Sequence, residues 1–546
     1  MTALRRAAPS PWVVVAVGTA AVLTVPVVAV LTSLSHPAVE VWAHLWRTQL
    51  VELVLNTAAL VAGVAVGTLG LGTGLAWLIV AYRFPGRAIF EWALILPLAV
   101  PAYVIGFAFL GLFDFPGPVQ TTMRGWFGDG VRLPDLRSYG GIVLVMTLVF
   151  YPYVYLLART AFREQGAATL ETARSLGRSR SRAFVQVVLP MARPALAAGT
   201  ALACMEALAD FGTVSTFGYR TLTEAVHRVW LGMFDRVAAT QLASLLLLFA
   251  ALLLWLERAL RRGARFTQSQ RRGHGVSPEP LRGGRAGAAT TVCALVLTLA
   301  FVLPVGQLLA WSVEALGSWT VGAEFTQVLG NTLVLAGTAS GAACVIAVVL
   351  VYAARLHPTR TVRVATQLTA MGYALPGAVI AVGILVPMAW LDHALADAAG
   401  LLLGPRTRLL ITGSAAGLLF AYVVRFLAVG FHTLDVSLGR IPRSFDDAAR
   451  SLGSGIGSTL RRVHLPLMRR GVLTALILVF VETMKEMPAT LLLRPFGRDT
   501  LAVKVWEWTS ESMWAEAAVP ALTIVAAGLL PVFLVVRLTA QPGTRG

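Results

Sequence analysis

Long apolar runs recur all along the chain, separated by short polar loops. They lie at about 12–33, 51–81, 89–113, 140–160, 196–216 and 237–257, then at 289–313, 330–353, 364–391, 409–430, 471–493 and 518–537. Each comes near the roughly 20 residues with which an α-helix crosses a bilayer core. The pattern predicts an all-α polytopic membrane protein with about 12 transmembrane helices. The run at 12–33 follows Arg5 and Arg6 as a signal peptide would, but no small-residue cleavage site follows it, so a retained first helix is expected.

Composition agrees. Hydrophobic residues make up 57% and charged residues 13% of 546 positions, with too little charge to cover a soluble globule of this length. Cys204, Cys293 and Cys344 all sit inside apolar runs and form no paired motif, so they read as small hydrophobes. A net charge of +18 would suit a nucleic-acid partner, but its placement argues otherwise. All but two of the 45 basic residues are arginine, the exceptions being Lys485 and Lys504. They gather at Arg5 and Arg6, Arg83 and Arg87, 159–193, 258–285, Arg355 to Arg363, 440–470 and Arg537 to Arg545. These are the N-terminal segment and alternate loops. Positive charge stays on the cytoplasmic side, so both termini are expected there, and no nucleic acid is expected as a partner.

Sliding the chain on itself exposes a repeat. A shift of 276 lays Glu171-Thr172-Ala173-Arg174-Ser175-Leu176-Gly177 on Asp447-Ala448-Ala449-Arg450-Ser451-Leu452-Gly453. It also lays Val187, Leu189 and Pro190 on Val463, Leu465 and Pro466, and Trp230 on Trp506. A shift of 275 aligns Asn56-Thr57 with Asn331-Thr332 and Pro101 with Pro376. Two parallel halves of about six helices follow. The expected division is 1–50 (tail, first helix, outer loop), 51–257 (first core), 258–288 (basic linker), 289–329 (seventh helix and outer loop), 330–537 (second core) and 538–546 (cytoplasmic tail). Pro101 and Pro376 are expected to kink the third and ninth helices.

The loops 161–195 and 431–470 share one design. Glu171 or Asp447 opens a short helix, where a carboxylate meets the positive helix end. Gly177 or Gly453 closes it with a left-handed cap. A second short helix is expected to end at Leu189-Pro190 or Leu465-Pro466. These loops resemble the Glu-Ala-Ala signature of binding-protein-dependent ABC permeases, whose coupling helix inserts into the nucleotide-binding subunit. The resemblance gives that coupling role to Glu171, Ala173, Gly177 and Pro190 in the first half, and to Asp447, Ala448, Ala449, Gly453 and Pro466 in the second. Thr172 and Asp447 depart mildly from the pattern. A type I ABC importer fold is implied. Neither lysine follows a glycine as a phosphate-cradling loop requires. The chain is therefore expected to bind no cofactor and to catalyse nothing, with ATP and Mg held by two copies of a partner ATPase.

Ionisable residues inside spans are costly and mark pathways. Glu206 and Asp210 lie four residues apart, which predicts one helical face, and the repeat maps them onto Glu482 and Glu486. Two such pairs suit a hard cation that prefers oxygen ligands. Lys485 is expected to hold a carboxylate when the pathway is empty. Helix capping or solvation at the outer edge is the alternative for these acids. The segments 205–214, 230–239 and 484–497 resemble those of ferric-iron ABC permeases, which implies a periplasmic ferric-iron-binding protein as a further partner and the bacterial inner membrane as location. No metal ligand is assigned firmly. The eight histidines fit surface or interface positions. A thiamine or other small-solute permease, an ion-driven carrier and a membrane enzyme remain as rival readings.

Overall fold

The structure is a computed structural model that describes residues 10–35, 38–164, 179–261, 278–317, 322–403 and 411–539. Among the described residues, twelve helices are long and apolar enough to cross a membrane. They run Pro11–Ser35, Leu50–Ala81, Ala102–Phe127, Tyr139–Glu164, Phe184–Ala209, Arg236–Arg261, Gly284–Ala315, Glu324–Leu356, Gly377–Asp397, Ala415–Gly439, Ile456–Lys485 and Trp514–Leu534. In hydrocarbon each backbone amide must find its partner within the segment, and helices meet that demand.

The third and ninth spans differ from expectation. Residues 89–113 are not one kinked helix. Arg87–Ala93 is followed by a 3-10 turn at Leu96–Ala99 and then, after Pro101 as N-cap, by Ala102–Phe113. The second half repeats this, with Arg360–Ala370, a 3-10 turn at Met371–Ala374, and a new helix from Gly377 just beyond Pro376. Each proline lacks an N–H and pushes the residue before it out of the helical region. Val100 and Leu375 are accordingly extended. A proline at a helix start costs nothing, so the break replaces the kink.

Packing gathers the chain into two compact units. One holds 1–38, 234–244 and 323–503. Its core is the Ala323–Leu356, Ala415–Gly439 and Leu465–Lys485 helices, with the Pro11–Thr32 helix laid against Gly377–Leu403 and Arg360–Ala370. Gly383 permits that approach, since a Cβ there would collide with the Pro26 carbonyl. The other holds 39–233, 245–322 and 504–546. Its core is the Leu50–Ala81, Tyr139–Glu164 and Leu189–Ala209 helices, with Leu303–Gly317 against Trp514–Thr539. Gly72 lets the first two of these helices close up, its Cα facing the Tyr151 carbonyl and Val154. Thus the opening helix of the chain packs with the second core, and the closing helix with the unit that holds the first.

Candidate functional site

The signature loop of the second half lies wholly within the described residues. Ser444–Ser451 is an α-helix with Asp446 and Asp447 in its first turn, where carboxylates favour the positive end. Gly453 then adopts φ +74°. The Ser454 N–H donates to the Ala449 carbonyl at 2.9 Å and the Gly453 N–H to that of Arg450 at 3.0 Å. That is the paired bonding of a Schellman cap, which needs a left-handed residue after the helix. Asp447 pairs with Arg450 at 2.6 Å on the exposed face. Ala449 is buried beneath. Leu452, at the tip, is 85% exposed. Glu171, Ala173 and Gly177 of the first loop lie outside the described residues.

Three residues that the sequence did not single out anchor this loop. Arg355, in the last turn of its span, donates to Asp446 from Nε at 3.0 Å and from Nη2 at 2.5 Å. It also donates to the carbonyls of Leu438 and Ile441 at 2.9 and 3.1 Å. His464 Nε2 stands 3.2 Å from the other Asp446 oxygen, with its ring wholly buried. The loop helix is thereby tied to two spans at once.

Leu189-Pro190 and Leu465-Pro466 do not end a helix, contrary to expectation. Each follows a π turn, at Phe184–Val188 and at Leu460–His464, and the chain continues straight into the span. A proline in continuous helix lacks an N–H and strikes the carbonyl four residues back. The wider π turn carries the ring past that carbonyl, and such turns collect at functional sites. The two turns stand at equivalent points of the repeat.

The membrane acids divide into two kinds. The fifth span ends at Ala209 and the eleventh at Lys485, so Asp210 and Glu486 are extended cap residues and share no helical face with Glu206 and Glu482. Each cap carboxylate opens a second short helix. Asp210 accepts from the Thr213 N–H at 2.8 Å and its hydroxyl at 2.6 Å, ahead of Gly212–Thr216. Glu486 accepts from the N–H groups of Ala489 and Thr490 at 3.1 and 3.2 Å, ahead of Pro488–Leu493. Glu486 is buried, and Arg425 of the tenth span lies 3.5 Å from it. Gly377 leaves room for both, since a Cβ would meet Glu486 Oε1 and Arg425 Nη1. Glu206 and Glu482 stand one turn earlier, part-exposed. Lys485 reaches Glu482 at 3.5 Å. Among the described residues no three His, Cys, Asp or Glu side chains come together as a metal site.

The matched Asn-Thr pairs close the hairpin segment of each half. Asn56 Nδ2 donates to the Arg220 carbonyl at 3.1 Å and Thr57 Oγ1 accepts from the Leu222 N–H at 3.0 Å. Asn331 and Thr332 do the same with Asp499 and Leu501, at 3.3 and 2.9 Å. Each threonine hydroxyl also donates to its own helix, to Leu53 and Val328. The hairpin that starts at the acid break is thus fastened to the first core helix of its half.

Residues 67–266 match the family model described as the binding-protein-dependent transport system inner membrane component. A sulfate transport system permease protein of Salmonella typhimurium is 32% identical across 43% of this chain and 85% of that protein. The chain belongs to this family. A molybdenum transport system permease protein of Escherichia coli is 30% identical across 32% of the chain and 71% of that protein. An Fe(3+)-transport system permease protein of Haemophilus influenzae is 28% identical across 90% of both chains. The protein is therefore a multi-pass permease component of a binding-protein-dependent ABC importer, a membrane subunit of the type I fold.

Of the histidines, expected at surface or interface positions, two are buried within the permease. His227 is buried, its Nδ1 3.0 Å from the Thr223 carbonyl and its ring stacked on Phe211 at 3.9 Å. His464 belongs to the Asp446 anchor. In the permease both serve packing around the breaks and turns that shape its halves.

Proposed function

We propose that the permease imports ferric iron, delivered by a periplasmic ferric-iron-binding protein and driven by two copies of a separate ATPase. The carrying observation is coverage. The ferric relative aligns along 90% of both chains, whereas 85% of the sulfate relative is met by only 43% of this one. The fused two-half plan is shared with the ferric protein. The loops around Glu171 and Asp447 are the handles for the ATPase, which supplies ATP and Mg. Ala173, Gly177 and Pro190, and Ala448, Ala449, Gly453 and Pro466, form those handles. Exposed Leu452 is the contact we assign to a groove of the partner ATPase. The arginine-rich loops support a bacterial inner-membrane orientation with both termini in the cytoplasm.

Closure of the ATPase dimer on ATP draws the handles together, and the π turns pass that motion straight into the fifth and eleventh spans. The bundles then exchange outward for inward access, each ligand acting through its differential affinity for the two states. Glu206 and Glu482 are the acids we assign to the pathway, with Lys485 neutralising Glu482 between passages. Asp210 and Glu486 shape the pathway by capping the hairpins. Reconstitution with the co-purifying ATPase and binding protein tests this, with uptake of ferric iron measured against sulfate and thiamine. ATP-dependent ferric uptake that falls in Glu482→Gln is expected. Uptake that needs neither ATP nor binding protein would overturn the importer reading, and ATP-driven sulfate or thiamine uptake without iron would overturn the substrate.

A further inference from the structure

The unit that holds the first core carries a cavity of about 1010 Å³ between the Leu50–Ala81, Leu189–Ala209 and Arg236–Arg261 helices. Ala58, Ala62, Ala65 and Gly70 floor it along one face of the Leu50–Ala81 helix, and Leu252 and Phe249 wall it. Space around Gly70 is open. A trough of small residues alone says nothing about an occupant. Its polar end does. Thr73 is 9% exposed, and its hydroxyl lines the cavity without a hydrogen-bond partner. Thr200 adds a second buried hydroxyl in the same condition. Arg193 lines the cavity too, and has no ion pair or hydrogen bond among the described residues. Glu257, which also lines the cavity, is already paired, with Arg261 at 2.8 Å. Among the described residues one cation is thus left over at one end of an apolar trough.

Depth can be counted. The Cys204 thiol approaches the Val61 carbonyl at 3.8 Å, which sets the register of the two helices. Counting from that contact towards the Leu-Pro turn, Arg193 and Thr73 both lie about 17 Å further along. One leaflet of hydrocarbon is about 15 Å deep. The trough from Val61 to Thr73 therefore has the length of one acyl chain. Trp77, stacked on Phe184 at 4.3 Å, sits just beyond the cation, where tryptophan marks the headgroup level.

We propose that this cavity is a specific site for a glycerophospholipid of the leaflet on the coupling-loop side. Its phosphate pairs with Arg193, an ester carbonyl accepts from Thr73, and one acyl chain fills the trough over Ala65 and Gly70. The site wedges a lipid between the helix that carries the Leu-Pro turn and its two neighbours.

Native mass spectrometry of the full chain, purified with its ATPase in mild detergent and titrated with phosphatidylethanolamine or phosphatidylglycerol, tests it. Wild type should retain one phospholipid through delipidation. Arg193→Gln should weaken binding at least fivefold, and Gly70→Leu, which fills the open trough, at least tenfold. Arg182→Gln, exposed and outside the cavity, should bind as wild type. Wild-type lipid retention in both Arg193→Gln and Gly70→Leu would overturn the site. So would a second copy of the chain lost on Gly70→Leu in place of a lipid. Should Gly70→Leu fail to fold, Arg193→Gln alone decides.

Discussion

The two halves share the fastening of their hairpins and part company at the end that carries the signature loops. At the hairpin end, Asn56-Thr57 and Asn331-Thr332 make the same bonds to equivalent carbonyl and amide groups. At the other end, the second half ties its loop helix down through Asp446, Arg355 and His464. The repeat puts Leu170, Val80 and Val188 at those three positions in the first half. There the basic residues instead hold the helix before the Pro101 break, with Arg163 and Arg159 at 2.8 and 3.7 Å from Glu91. Duplication has thus kept what builds the hairpin, while the residues of this cluster differ between the halves. A loop tied down by Arg355, Asp446 and His464 is held more stiffly than the apolar residues at the equivalent sequence positions of the first half would hold it.

The comparison breaks most readily at Arg355. Arg355→Ala strips Asp446 of its guanidinium and leaves carbonyls unsatisfied, which should cost about 3–5 kcal/mol in reversible detergent unfolding. Arg163→Ala, at a site whose side chain is 43% exposed, should cost less than about 1 kcal/mol. Equal losses would erase the contrast. Thr57→Val and Thr332→Val each leave a buried amide without its acceptor, for about 1–3 kcal/mol. The two should agree closely, and a marked difference would show that the hairpin fastenings are not equivalent. Gly453→Ala forces a Cβ into the left-handed region and should cost about 1–2 kcal/mol, with weaker ATPase co-purification. Asp447→Asn loosens an exposed pair and should change stability by less than about 0.5 kcal/mol. Its effect belongs in ATPase assembly assays, where wild-type binding would remove Asp447 from the handle.

The twelve spans and the left-handed cap at Gly453 were legible because they depend on local signals: run length, and a glycine after an amphipathic stretch. The Asn-Thr match was visible as a repeat, but its purpose was not, since the partners lie 164 and 168 residues away. The Arg355–Asp446 contact spans 91 residues and shows no pattern in one dimension. Pro101, Pro376, Pro190 and Pro466 were misread for a common reason. A proline signals that a helix must change, and whether by kink, restart or π turn is settled by what packs around it. Asp210 and Glu486 were misread as one face with Glu206 and Glu482 because the span ends fall between them. The handle residues Glu171, Ala173 and Gly177 lie outside the described residues.

The prolines after the two π turns carry a further consequence. Pro190 and Pro466 each deprive a carbonyl on the preceding turn, that of Gln186 or Arg462, of the amide it would otherwise meet. Hydrocarbon tolerates such an orphan only where a neighbouring helix, a hydroxyl side chain or a water takes it up, whereas bulk water satisfies it directly. A turn of this kind therefore fits best at the waterline, and the repeat sets it at the same point in both halves.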